Sequence, residues 1–126
     1  MRKMNEKEAK TTLSQKQYPN TFDPEKPMFP ISIVADTLNV HQRTLRIYDD
    51  ENILVPPRSQ KNRRLYSFND IERGKFIQFM TRKLGINIAG IKIIIHLLKQ
   101  QNILPAQYLD HINQIGQELN ILKHED

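Results

Sequence analysis

The sequence predicts a mostly α-helical fold: a winged helix-turn-helix with a small β-hairpin wing, two further helices and a C-terminal coiled-coil dimerisation helix. Three observations predict it. Residues 40–54, VHQRTLRIYDDENIL, read as a short amphipathic helix entered from a tight turn. Residues 56–66, PPRSQKNRRLY, place Arg58, Lys61, Arg63 and Arg64 around one polar turn with no acid among them. Finally, Tyr108, Ile112, Ile115, Leu119 and Leu122 recur at steps of four, three, four and three, which is heptad spacing.

The bulk numbers bound what such a chain does. Its 126 residues have room for one modest core, and an apolar fraction of 38% predicts polar ends around it. Charge is uneven along the chain: residues 1–30 carry six Lys/Arg and four Asp/Glu (+2), residues 31–100 twelve and six (+6), and residues 101–126 one and four (−3). That central basic excess favours a polyanionic partner. With no cysteine, thiolate metal sites, disulfides and thiol sensing are excluded. No apolar run approaches the roughly 20 residues of a membrane span and no signal-peptide core is present, so a cytoplasmic, nucleoid-associated protein is expected, with no membrane partner.

Taken in order, residues 1–27 mix Lys, Glu, Gln, Thr and Asn and then meet a series of prolines, a composition that predicts a flexible tail. From residue 28 to 100 the pattern is that of a folded domain. Ser32 is expected to cap a first helix with Ile33, Val34 and Leu38 on one face and Ala35 leaving space for a crossing helix. Asn39 suits the left-handed residue of a short turn. A second helix follows from near His41 to about Glu51, with Leu45 and Tyr48 facing inward, and Asn52 ends it. Pro56 and Pro57 forbid further helix, so the chain becomes extended, and Ser59 to Asn62 is the turn of a hairpin with a charged tip.

Beyond the hairpin, Asp70 to Leu84 forms an amphipathic helix with Ile71, Phe76, Phe79 and Met80 as its buried stripe, capped by Ser67 or Asn69 and stopped by Gly85. Asn87 caps the next helix, Ile88 to about Lys99, whose isoleucine content predicts burial on more than one side. Leu104-Pro105 opens the last helix, since proline is favoured in a first turn. Residues 101–126 are therefore expected to form a dimerisation helix. Its narrow apolar seam, on a helix of roughly 27 Å at about 1.5 Å per residue, needs a partner helix.

His41, Gln42, Arg43 and Thr44 occupy the first turn of the second helix, the part that reaches base edges in a major groove; Arg suits guanine and Gln suits adenine by bidentate bonding. Arg46 and Tyr48 stand one turn on, at the level of the backbone, and Arg58, Lys61, Arg63, Arg64 and Tyr66 of the wing suit flanking phosphates. The bland alternatives are a solvated basic face, His41 as a plain helix cap, and Arg46 paired with Asp49, Asp50 or Glu51. Those three acids oppose the helix dipole and need an offset, for which the wing arginines are candidates. Catalysis finds little support: His41, His96, His111 and His124 lack ligand spacing, and no nucleophile-base pair, paired carboxylate or glycine-rich phosphate loop appears.

The stretch from Ile31 to Leu98, reading ISIVADTLNVHQRTLRIYDDENILVPPR and then RRLYSFNDIER after a variable wing tip, resembles the DNA-binding domain of the MerR family. His41 followed by Arg43-Thr44-Leu45-Arg46, with GINIAGI at Gly85 to Ile91, is similar to the heat-shock repressor (HspR) subgroup. Asn39, Asn52 and Asn62 stand where the family usually has glycine, and Ile47 replaces a common aromatic. The resemblance implies a homodimer, paired through antiparallel last helices, that binds an inverted-repeat operator in double-stranded DNA and represses chaperone genes. It also implies a chaperone of the Hsp70 or J-domain type as corepressor, and no cofactor. Two other readings remain: a chaperone-modulator module that binds a J-domain protein, and a MerR-type activator answering to a small ligand.

Overall fold

The structure, a computed structural model, describes residues 22–123. It begins with a packed segment. The ring of Phe22 meets Phe68 edge-on with centroids 4.8 Å apart, and Phe29 meets the same ring at 5.1 Å. Between them the Asn69 N–H donates to the Pro24 carbonyl at 3.0 Å, and Glu25 accepts from Asn69 at 2.6 Å and Arg73 at 3.1 Å. The expected tail over residues 1–27 is thus corrected at its inner end, where edge-to-face aromatic contacts and two hydrogen bonds to one carboxylate tie the chain down; residues 1–21 lie outside the described residues.

Strand β1 (Phe29–Pro30) pairs antiparallel with β2 (Leu65–Tyr66), in the register Phe29 to Tyr66 and Pro30 to Leu65. Helix α1 (Ile31–Leu38) follows directly. Because the chain leaves a paired strand at Pro30, whose ring fixes φ at −68°, the helix starts there with no side-chain cap, and the expected Ser32 cap is not used. Val34, Ala35 and Leu38 are buried as expected, whereas Ile33 is exposed.

Helix α2 (Gln42–Asp50) is separated from α1 by Asn39, at φ 55°. The N–H of Val40 bonds back to the Ala35 carbonyl at 3.0 Å and that of Asn39 to Asp36 at 3.2 Å, which satisfies the helix's last carbonyls. Helix α2 ends the same way, with Asn52 at φ 60° and Ile53 bonded to Tyr48 at 3.0 Å. Ile53 and Leu54 then anchor the loop in the core.

Helix α3 (Phe68–Arg82) starts two residues before the expected position, because Ser67 and Asp70 cap it reciprocally: Asp70 N–H to Ser67 Oγ and Ser67 N–H to Asp70 Oδ2, both 3.0 Å. Phe76, Ile77 and Met80 have no exposed surface. Gly74 allows the close approach of α1, since a Cβ there would stand 2.6 Å from a methyl of Leu38.

Helix α4 (Ile88–Gln100) is capped by Asn87, whose side chain accepts from the Gly90 N–H at 2.9 Å. Only Ile91, Ile95 and Leu98 are buried, while Ile93 is 62% and Leu97 49% exposed. Within one chain, then, α4 buries one face only, and the expectation of burial on more than one side is corrected. After a 3-10 turn at Pro105–Gln107, helix α5 (Tyr108–Glu118) packs on α3. The ring of Tyr108 sits edge-on against Phe76 at 5.3 Å.

This arrangement corrects the heptad reading. Tyr108, at 1% exposed, belongs to the chain's own core, and Ile112 packs against it. Ile115 is half-buried on the helix, Leu119 is its C-cap, and Leu122 lies beyond it. The five residues form no single seam, because the helix ends at Glu118 and Asn120, at φ 58°, turns the chain back beyond it. Among the described residues no helix is long and apolar enough to cross a membrane.

Candidate nucleic-acid interface

His41 begins the candidate interface. Its Nδ1 accepts the Arg43 N–H at 3.0 Å, so the imidazole caps α2 and leaves Nε2 for a partner. Arg43 is exposed, and Gln42 and Thr44 are half-buried on the same first turn. One turn later Arg46 is also exposed and donates to Gln42 Oε1 at 3.3 Å, not to Asp49, Asp50 or Glu51. Leu45 and Tyr48, on the opposite face, are held in the core, so the helix presents Gln42, Arg43 and Arg46 outward.

The wing is narrow. A single bridge joins Arg58 to Arg64, flanked by Leu65 N–H to the Pro57 carbonyl at 3.0 Å and Ser59 N–H to the Arg63 carbonyl at 2.8 Å. Its tip turns at Asn62, φ 61°, with the Asn62 N–H bonded to Ser59 at 2.9 Å. Lys61 and Arg63 are exposed there and make no ion pair among the described residues.

At the wing's root Asp49 of α2 accepts from Arg64 Nε at 2.8 Å and faces an Arg58 terminal nitrogen at 3.5 Å. The offset expected for the acids at the end of α2 is present for Asp49. Arg64 is only 18% exposed in its side chain against 42% for Arg58, so the two wing-root arginines are unequal in reach.

Two expected phosphate ligands are corrected. Tyr66 has no exposed surface, and its hydroxyl finds no hydrogen-bond partner among the described residues. Burial pushes it up to about 12, with Arg64 working against that shift and Asp49 and Asp70 adding to it. The alternation of β2 decides this: pairing with β1 turns Tyr66 inward and Leu65 partly outward. Tyr48 is likewise buried, at 6% exposed, and its hydroxyl accepts a bond from Gln78 of α3. Burial raises its pKa, opposed by that bond and by nearby Arg82. Gln78 and Arg82 were not singled out in the sequence, where an amphipathic helix offers no sign of which polar residue meets the preceding helix.

Among the described residues no cluster of three or more His, Cys, Asp or Glu side chains could hold a metal ion. The candidate interface gathers exposed cations from two elements: the first turn of α2 and a basic hairpin that is paired through Asp49 to the last turn of the same helix.

Comparison with known proteins gives this geometry a context. The sequence profile described as MerR HTH family regulatory protein matches residues 29–98. Over 75 residues, 60% of this chain and 57% of theirs, the chain is 39% identical to the HTH-type transcriptional regulators GlnR of Bacillus anthracis and Bacillus cereus. It is 36% identical over 86 residues to the heat shock protein HspR of Streptomyces coelicolor, covering 68% of this chain and 57% of that one. The chain spans a little over half the length of these curated relatives.

Proposed function

The chain belongs to the MerR family of helix-turn-helix regulatory proteins, and from that premise we propose that it is a sequence-specific transcriptional repressor of heat-shock and chaperone genes that binds an inverted repeat as a homodimer. The observation that carries the DNA reading is the contact of Asp49 with Arg64 and Arg58, which ties the basic wing to the last turn of α2, the helix whose first turn is exposed. One element then enters the major groove while the other follows the backbone.

In this reading Arg43 and Gln42 read bases, with Thr44 and His41 beside them, and Arg46, Arg58, Lys61 and Arg63 hold phosphates. Arg64 is mainly committed to Asp49. The heat-shock assignment draws on the HspR relative and on GINIAGI at Gly85 to Ile91. A chaperone as corepressor would act on a surface other than the DNA face, and the protein would spend its time on the nucleoid.

A second reading keeps the DNA surface but changes the target genes, and the 39% identity to GlnR regulators favours it. Footprinting on genomic promoters separates the two. Protection over promoters of chaperone genes supports the first, protection confined to other promoters supports the second, and no protection at moderate salt defeats both.

A further inference from the structure

We propose that Asp49 is a positioning residue for the DNA surface, holding the wing at a fixed angle to α2 by taking up the charge of Arg58 and Arg64. The inference rests on the DNA-binding reading and adds to it a residue that touches no DNA.

Arg58 and Arg64 stand directly opposite each other in the wing's single bridge. Like charges in that position push a strand pair apart. A hairpin with so few backbone bonds has little to set against such repulsion. The carboxylate of Asp49 lies between the two, 2.8 Å from one guanidinium and 3.5 Å from the other, with only 14% of its side chain exposed. It is also an acid near the C-terminal end of a helix, where the dipole disfavours it unless a cation compensates. Each side thus lacks on its own what the other supplies, and the wing closes properly only against a formed α2.

The functional consequence lies at the wing tip. With Arg64 half-buried and turned to Asp49, the charges left for phosphates are Lys61 and Arg63 together with the more exposed Arg58. Their positions are fixed before DNA arrives, which lowers the ordering cost of binding.

Simple charge counting predicts the opposite of this proposal, and that makes it testable. Asp49→Asn removes an acid from a DNA-facing surface, so unaided electrostatics would tighten binding and steepen its salt dependence. Affinity is measured by fluorescence anisotropy over a salt series on two duplexes, one carrying the footprinted site with its flanks and one trimmed of the flanking base pairs. The expected result on the flanked duplex is binding about tenfold weaker, with a log–log salt slope smaller by roughly one to two as wing phosphates are lost. On the trimmed duplex Asp49→Asn and the natural protein should bind within about twofold of each other, since the wing then contributes to neither.

Equal or tighter binding on the flanked duplex overturns the proposal, as does an equal loss on both duplexes, which would mark a general structural defect. If Asp49→Asn does not fold, Asp49→Glu keeps the charge but moves it by one methylene. It should show a smaller loss, again confined to the flanked duplex. Failure of the natural protein to bind either duplex would instead remove the DNA reading itself.

Discussion

The side chain of Leu122 lies over Gly116, in the space that a Cβ on that glycine would occupy. The backbone brings it there. Asn120 takes φ 58°, and the N–H groups of Ile121 and Leu122 both turn back to the Gly116 carbonyl, at 2.9 and 3.1 Å. Helix α5 therefore closes on itself at Glu118 and does not run on through Leu122. An alanine in a left-handed position costs about 1–2 kcal/mol. Asn120→Ala is thus expected to lower stability by about 1 kcal/mol in urea unfolding, with Asn120→Gly close to neutral. A continuous helix would give the reverse order, because alanine is the best helix former and glycine among the worst.

How legible this was in the sequence depends on which signal was stronger locally. Asn followed by Val or Ile ends four helices, at Asn39, Asn52, Asn102 and Asn120, each with φ between 55° and 60° and the next residue bonded back to a carbonyl five residues earlier. At Asn39 and Asn52 nothing competed, and both turns were readable. At Asn120 the apolar steps from Tyr108 to Leu122 continued through the stop, and a periodicity averages over the one residue that breaks it. Side-chain facing was similarly partial. The inward set of α2 follows from its spacing, but Tyr66 sits in a strand of two residues, where only the pairing with Phe29 says which side is inside. Nor does periodicity tell whether Ile93 and Leu97 meet their own chain or remain exposed, as they do here.

If the protein is a homodimer, its interface has to use apolar surface that the chain does not itself bury. Leu119 is 65% and Ile121 61% exposed, whereas Ile112 packs on the core. The double substitution Leu119→Ser with Ile121→Ser should weaken dimerisation at least about tenfold, roughly 1.4 kcal/mol, in sedimentation equilibrium while leaving the monomer's melting temperature nearly unchanged. Ile112→Ser should do the opposite, costing stability before association. If Ile112→Ser dissociates a still-folded dimer and the Leu119 and Ile121 pair has no effect, the coiled-coil seam is restored.

Arg43 and Arg63 are both exposed but stand on different elements, one on the first turn of α2 and one at the wing tip. Arg43→Ala is expected to lose about 1–3 kcal/mol on the best site and to lose discrimination at one base position. Arg63→Ala should weaken all sequences alike and reduce the salt slope by roughly one. Binding isotherms on a panel of operator variants at three salt concentrations distinguish them, and identical behaviour across the panel would refute the division of roles.

Tyr66 offers a test of its corrected role that also has a pH signature. Its hydroxyl is buried without a hydrogen-bond partner among the described residues, a situation that costs about 1–3 kcal/mol relative to an apolar replacement of the same shape. Tyr66→Phe should therefore leave stability at pH 7 unchanged or raised, and DNA affinity unchanged; a loss of affinity would return Tyr66 to the phosphate-binding set. Because burial raises its pKa from 10.0 to about 12, the folded state keeps a proton that the unfolded chain gives up first. The stability contributed by this group is complete below pH 10 and is lost as the pH rises towards 12. Urea unfolding across that range should fall less steeply in Tyr66→Phe than in the natural protein, by up to one proton's worth of slope. Some alkaline loss remains in the variant, since burial raises Tyr48 and Tyr108 as well.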